Sequence, residues 1–266
     1  MDSPGRADLF DPRRARGLLR PWALRRLWHR AELCGVDNLP DGPALLVSNH
    51  GRLDFDSLIL LKMIADRTGK LPRSLGERML FRNPLTARLA TALGAVEGTR
   101  DQAATLLASG EWLLSYPGGI REIFDSRFGR ERVSWSGRRG FAHVAIRAGV
   151  PVVPIASVGV NHGFVFLSDG RRLGRFMARY VLRLGPGPSD FRDPLAVGIL
   201  PLPLPFSTAV HFPLPCKVRY LIGEPLAPPT GPAADHDAAE AFALRVESAL
   251  CTMLAADGTP DPRNRS

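Results

Sequence analysis

Apolar residues along this chain recur in two different patterns, and the alternation between them sets the expected elements. An unbroken apolar run, Ala44-Leu45-Leu46-Val47, has the length of a buried strand, and Ser57 to Arg67, with Leu58 to Ala65 at its centre, reads as a buried helix. Leu85, Leu89 and Leu93 recur every four residues and predict a second helix over Asn83 to Leu93, ending at Gly94. A short strand near Ala95-Val96 precedes Gly98-Thr99-Arg100; Asp101 to Ser109 then forms a third helix closed by Gly110, and Glu111 to Tyr116 a strand. Gly140 to Ala148 is expected to be helical. Val150 to Val158 follows as a buried β segment whose two prolines, Pro151 and Pro154, point to strand ends or a sheet edge.

Helix and strand alternate to this point, which is α/β patterning. Residues 171 to 193 carry a further basic helix with Phe176, Tyr180 and Leu184, and an uncharged, proline-rich stretch runs from Pro194 to Cys216. Lys217 to Ile222 is the last expected strand, before Gly223-Glu224-Pro225. Phe242, Val246, Leu250 and Leu254 then recur every four residues, the mark of an amphipathic C-terminal helix.

The N-terminal pattern is different. Residues 1 to 12 read as disordered, and from Arg13 to Glu32 the apolar Leu18, Leu19, Trp22, Leu24, Leu27 and Trp28 are mixed with seven arginines. This predicts a basic amphipathic helix broken or begun near Pro21. Such helices lie in the lipid headgroup layer, or pack as ordinary helices on the domain. Arg13, Arg14, Arg16 and Arg20 interrupt the first apolar residues, which argues against a signal peptide. Pro194 to Cys216 is long enough to cross a bilayer, but Pro201, Pro203, Pro205, Pro213 and Pro215 would repeatedly remove helical hydrogen bonds, so no transmembrane helix is expected.

Composition narrows the partners. Hydrophobic residues make up 45% and charged residues 23%, values of a globular chain. The formal charge is +9 and is carried almost wholly by arginine, since Lys62, Lys70 and Lys217 are the only lysines. The excess favours an anionic partner, whether phosphate, acidic membrane or nucleic acid; a solvated basic surface is the plain alternative. Cys34, Cys216 and Cys251 are scattered and form neither a disulfide framework nor a metal-binding spacing, which fits a reducing compartment.

The candidate chemistry sits in Val47-Ser48-Asn49-His50-Gly51-Arg52-Leu53-Asp54-Phe55-Asp56, where a strand hands a histidine to a turn that opens a helix. A neutral imidazole accepts a proton near pH 7, and a carboxylate a few residues on can bond its other nitrogen, fix the tautomer and stabilise the imidazolium. The alternative is a satisfied turn histidine, with Asp54 or Asp56 capping the helix. A second candidate follows the Tyr116 strand. In Pro117-Gly118-Gly119-Ile120-Arg121-Glu122 the paired glycines allow close backbone approach and N–H groups aimed at an anion or oxyanion. The loop from Asp125 to Arg139 comes next, and its Trp135 and Arg138 are placed to cover a ligand.

Taken in order, Asn49-His50 with a following Asp, Gly94 through Arg100, Tyr116 through Arg121 and Val150-Pro151-Val152-Val153-Pro154 resemble the four motif blocks of the glycerolipid O-acyltransferases, the 1-acylglycerol-3-phosphate acyltransferase-like superfamily. The resemblance covers roughly residues 35 to 225. It implies a single-domain glycerol-3-phosphate acyltransferase-like α/β sandwich, a mixed and mostly parallel sheet flanked by helices, behind an N-terminal basic amphipathic helix. It also implies that His50 removes the proton of an acceptor hydroxyl, which attacks the thioester of acyl-CoA or acyl-carrier protein, with no cofactor or metal. Arg100 and Arg121 match positions associated with the acceptor's phosphate, and Gly118 and Gly119 form the oxyanion turn.

Two departures refine this. The family usually has four residues between its histidine and its acid, but position 55 is Phe; Asp54 follows after three residues and Asp56 after five. The branch related to monoacylglycerol and diacylglycerol acyltransferases resembles the chain more closely, with a His-Gly turn, an Asp after five, and Pro-Gly-Gly followed by Arg-Glu. Asp56 is therefore the expected partner of His50, and Asp54 the helix cap. At position 118 many lysophosphatidate enzymes carry glutamate where this chain has glycine, which weakens a phosphorylated acceptor and lets Glu122 bond a neutral acceptor's hydroxyl or pair with an arginine.

The expected organisation is a membrane-contact segment over 1–32, an acyltransferase domain over 33–256 and a loose tail over 257–266. The expected setting is cytoplasmic and peripheral to the membrane, with the lipid surface, the acyl donor and a glycerolipid acceptor such as lysophosphatidate or mono- or diacylglycerol as partners, and no nucleic acid. Two rivals remain: a hydrolase using the same His-Asp pair, although no Gly-x-Ser-x-Gly elbow is present, and a non-catalytic basic module binding membrane or nucleic acid. His143, His162 and His211 read as structural.

Overall fold

The computed structural model describes residues 10–51, 55–119, 122, 131–133, 135–162, 215–230 and 236–257. Seven strands form one sheet in the order β1-β7-β6-β2-β5-β3-β4. They are β1 (Glu32–Cys34), β2 (Ala44–Ser48), β3 (Arg73–Gly76), β4 (Ala95–Glu97), β5 (Trp112–Ser115), β6 (Val152–Val158) and β7 (Arg219–Ile222). Every neighbouring pair is parallel except β6 and β7. The helices are α1 (Pro12–Leu18), α2 (Pro21–Trp28), α3 (Phe55–Thr68), α4 (Pro84–Ala92), α5 (Arg100–Ala108), α6 (Gly140–Ala148) and α7 (His236–Ala256).

Side-chain alternation divides the core into two layers. In β2, Ala44 and Leu46 face one apolar cluster while Leu45 and Val47 face the other, and β5 and β6 repeat the alternation. The first layer is covered by α3, through Ile59 to Ala65, by Ala15 of α1 and by Leu19 at its C-cap. The second is covered by α5, α6 and α7, with Phe242, Val246, Leu250 and Leu254 all buried. This is the expected sandwich of helices on a mixed, mostly parallel sheet.

Local chemistry starts and stops these elements. Asn83 accepts the N–H of Leu85 at 2.9 Å with Pro84 at the first helical position, and Thr99 accepts the N–H of Gln102 at 3.3 Å. Gly149 closes α6 with φ +65°, in the left-handed region that a side chain resists.

Five features differ from expectation. The N-terminal helix breaks at Pro21 as expected but ends at Trp28, and Glu32 opens β1, a three-residue strand whose partner β7 lies almost two hundred residues away and leaves no local signal. Phe10, expected to be disordered, lies under the Arg73 guanidinium at 3.8 Å. Pro154 is not at an edge: β6 is an interior strand. The proline's missing N–H lies on the β7 side, where Gly223 N–H donates to Pro154 O at 2.8 Å just beyond the end of β7. In α4 the four-residue stripe does form a helix, but Leu85 and Leu89 are 77% and 57% exposed while Ala87 and Thr91 face inward. The strand β3 was not expected, because Arg-Ser-Leu-Gly is only half-buried and has no apolar run. The basic helix over 171 to 193, most of the proline-rich stretch, and His211 lie outside the described residues.

Candidate active site

Strand β2 delivers Asn49 and His50 to the carboxyl end of the sheet, where crevices open in α/β folds. Asn49 acts as a clasp: its Oδ1 accepts the N–H of Ser157 at 2.8 Å and its Nδ2 donates to the carbonyl of Ser157 at 3.0 Å. The hydroxyls of Ser48 and Ser157 lie 3.0 Å apart beside it. Together they pin the ends of β2 and β6. All three residues are fully buried, so the base of the turn carrying His50 cannot swing.

His50 and Asp56 come together as expected. Both are 6% exposed, and His50 Nδ1 lies 3.8 Å from Asp56 Oδ1, an electrostatic distance about 1 Å longer than a hydrogen bond. Such pairs tighten when substrate fills the site. The carboxylate is itself oriented: its Oδ2 accepts the N–H of Gly51 at 3.0 Å and its Oδ1 the N–H of Ser57 at 2.7 Å. Behind it, the hydroxyl of Tyr220 donates to the backbone carbonyl of Asp56 at 2.9 Å. Burial, reinforced by the charge of Asp56, pushes the Tyr220 phenol well above its ordinary range, so it stays a donor. Nδ1 is the ring nitrogen turned to the acid, with Nε2 on the other side of the ring. Asp54 lies outside the described residues.

The second candidate lies beside the first. The ring of Tyr116 is 4.3 Å from the His50 ring, centroid to centroid, tilted by 30°. The turn after Tyr116 closes with the N–H of Gly119 on the carbonyl of Tyr116 at 2.9 Å, and Gly119 takes φ +53°. That bond commits the N–H of Gly119 to the turn. Glu122 is buried and folds back over Gly118. Arg138 donates to the carbonyl of Gly118 at 3.2 Å. Arg121 lies outside the described residues.

His50, Tyr116, Gly119, Arg100 and Arg138 line one cleft of about 1200 Å³, with Leu58, Leu75, Leu89 and Leu93 on apolar stretches of wall. Arg100 opens α5 there, 3.7 Å from where a Cβ on Gly140 would sit. Trp135 does not cover a ligand: it is 1% exposed and packs edge-on against Phe141 at 5.1 Å inside the second core layer. An aromatic in an arginine-rich loop carries no local sign of which way it faces. His143, read as structural, lines the cleft and stacks on His236 at 5.8 Å, a contact between distant helices that spacing does not reveal. Among the described residues no group of three His, Cys, Asp or Glu side chains is arranged to hold a metal, and no helix is long and apolar enough to cross a membrane.

Comparison with known proteins agrees with this geometry. Residues 30–158 match the acyltransferase family. The chain is 32% identical over 203 residues to the human DGAT1/2-independent enzyme synthesizing storage lipids, covering 75% of this chain and 55% of that protein. It is 33% identical over 220 residues to an uncharacterized protein of Mycobacterium tuberculosis, covering 79% of this chain and 60% of the relative. The chain therefore spans little more than half the length of these relatives. In fold it is similar to the 1-acyl-sn-glycerophosphate acyltransferase PlsC of Thermotoga maritima, with a TM-score of 0.53 at 17% identity over 90% of this chain and 80% of that one. Over residues 30–158 the chain carries an acyltransferase-family domain.

Proposed function

We propose that this chain transfers a fatty acyl group from the thioester of acyl-CoA or an acyl-carrier protein to a hydroxyl of a glycerolipid, and that the acceptor is a neutral mono- or diacylglycerol. The observation carrying the reaction is the buried His50–Asp56 pair at the mouth of a cleft with apolar and cationic walls. His50 Nε2 takes the proton of the acceptor hydroxyl as its oxygen attacks the thioester carbonyl. Asp56 holds the tautomer and stabilises the imidazolium. The tetrahedral oxyanion is met at the Gly118–Gly119 turn. Collapse breaks the carbon–sulfur bond, the thiolate takes the proton from His50, and ester and thiol leave.

The choice of a neutral acceptor rests on position 118. Gly118 leaves room that the Glu122 carboxylate occupies, and a carboxylate there suits a hydroxyl donor better than a phosphate. The human relative's description as an enzyme synthesizing storage lipids supports the same choice. Arg100, Arg121 and Arg138 are then free to hold the donor's phosphates. Lipid contact is assigned to α2, where Leu24 and Leu27 are 72% and 73% exposed among arginines.

The test is acyl transfer from radiolabelled palmitoyl-CoA to lysophosphatidate, monoacylglycerol, diacylglycerol and a long-chain alcohol, supplied together in micelles. Label in di- or triacylglycerol is expected, lost in His50→Ala. Label in phosphatidate would return the acceptor's phosphate to Arg100 and Arg121, and free fatty acid alone would make the chain a hydrolase.

A further inference from the structure

The turn after β6 lies on the His50 turn. Residues 159–162 fold back on themselves, with His162 N–H donating to Gly159 O at 3.1 Å. Gly159 has φ +83°, and an added Cβ would run into the carbonyl of Lys217, so the turn is pressed against the approach to β7. Val160, buried, closes over Gly51: a Cβ on Gly51 would lie 2.8 Å from both Cβ and Cγ2 of Val160 and 3.0 Å from Asp56 Oδ2. Gly51 follows His50 directly and donates to that same oxygen of Asp56. The placement of Val160 thus sets how closely the histidine's backbone and its acid approach.

A buried acid holds this turn. Glu131 is 3% exposed and accepts both the backbone N–H and the Nδ2–H of Asn161, each at 3.3 Å, while Asn161 is 2% exposed. Hydrogen bonds to an ionised acceptor are the stronger kind, and a buried carboxylate that lost them would bear its full desolvation cost. Neither residue lines the cleft, so neither touches substrate.

Resting on the reading of His50 as the general base, we infer that Glu131 is a positioning residue for it: by gripping Asn161, its carboxylate seats Val160 on Gly51 and so fixes the His50–Asp56 geometry. Among the described residues, the titratable groups facing Glu131 are His162, with Nδ1 3.8 Å away, and the Cys216 thiol, which sits 3.2 Å from His29 Nδ1 and feels Arg30. Burial pushes the Glu131 carboxyl up, and the bonds from Asn161 and the charge of His162 pull it back.

The experiment uses the full chain with ¹⁵N-labelled histidine, as wild type, Glu131→Gln and Asn161→Ala, with the His50 ring signals identified by their loss in His50→Ala. Glu131→Gln keeps the volume but turns an amide donor toward Asn161, and Asn161→Ala leaves the backbone bond in place as a milder variant. Both are expected to shift the His50 ring signals, which report its tautomer and its pairing with Asp56. In acyl transfer, kcat is expected to fall about tenfold or more with KM unchanged, the usual scale for a misplaced catalytic group. Unchanged His50 signals together with a lower unfolding midpoint would overturn the proposal and leave Glu131 an ordinary core group, as would a rise in KM at constant kcat. Should the wild type transfer to no acceptor, the acyltransferase reading fails and the ring signals alone decide on Glu131; should Glu131→Gln not fold, Asn161→Ala decides.

Discussion

The side chain of Glu122 folds over Gly118 so closely that a Cβ at residue 118 would lie 2.7 Å from its Cδ. Real Cβ atoms do not tolerate that distance, and both residues are buried, so the carboxylate and a side chain at 118 exclude each other. Gly118→Ala is therefore expected to destabilise the fold by about 1–3 kcal/mol, the usual cost of overpacking. Glu122→Gly in the same chain, which also removes the Glu122 Cβ that would lie 2.5 Å from the new one, should recover most of it. Thermal unfolding of the two single variants and the double variant measures this directly, and additive losses would show that the two side chains do not compete.

Replacing the base and replacing its acid should have different signatures. His50→Ala is expected to lower kcat by about a hundredfold or more, the contribution of a general base, with no loss of fold because the residue ends a strand already pinned by Asn49 and Ser48. Asp56→Asn is expected to lower kcat about tenfold at least and to cost stability as well, since its oxygens accept the N–H groups of Gly51 and Ser57 and an amide cannot satisfy both. Steady-state kinetics and urea unfolding on both variants separate these effects.

How much of this was legible in the sequence depends on how local each signal is. The strands β2, β5 and β6 announce themselves by apolar runs, and α7 by a four-residue period, because each buries its own pattern. The pairing of His50 with Asp56 is likewise a matter of a few residues around one turn. The clasp of Asn49 on Ser157 spans more than a hundred residues, and Glu131 grips Asn161 across thirty, so neither pairing has a spacing to recognise. The α4 stripe shows the limit in another way: period decides that a helix forms, but the small Ala87 and Thr91, not Leu85 and Leu89, fit against its neighbours.

The exposed leucines of α2 give a test of the membrane assignment. Burying a leucine is worth about 1.5–3 kcal/mol, which Leu24 and Leu27 forgo in the isolated chain and recover in a lipid interface. Leu24→Ser with Leu27→Ser is expected to weaken flotation with anionic vesicles by about tenfold or more. Added salt should weaken wild-type binding through the surrounding arginines. Flotation unchanged by the substitutions would assign the contact elsewhere.

Alkaline stability follows from two buried groups that the fold keeps protonated. Burial first, and the charge of Glu131 second, push the Cys216 thiol from its ordinary 9.0 to about 11, against an opposing pull from Arg30. Tyr220 is raised well above 10.0 by burial, then by Asp56 and Cys216. In both cases the folded-state pKa lies above the unfolded one, so their contribution is intact below the unfolded value and is lost as pH rises through the folded value. Stability should therefore begin to fall above pH 9 and fall further above pH 10. Cys216→Ala is expected to remove the earlier part of the decline. Tyr220→Phe should flatten the later part while costing about 1–3 kcal/mol at neutral pH, because the buried carbonyl of Asp56 loses its donor. Urea midpoints at about pH 8 and about pH 10.5 test both, and an equal decline in wild type and Cys216→Ala would place the titrating group elsewhere.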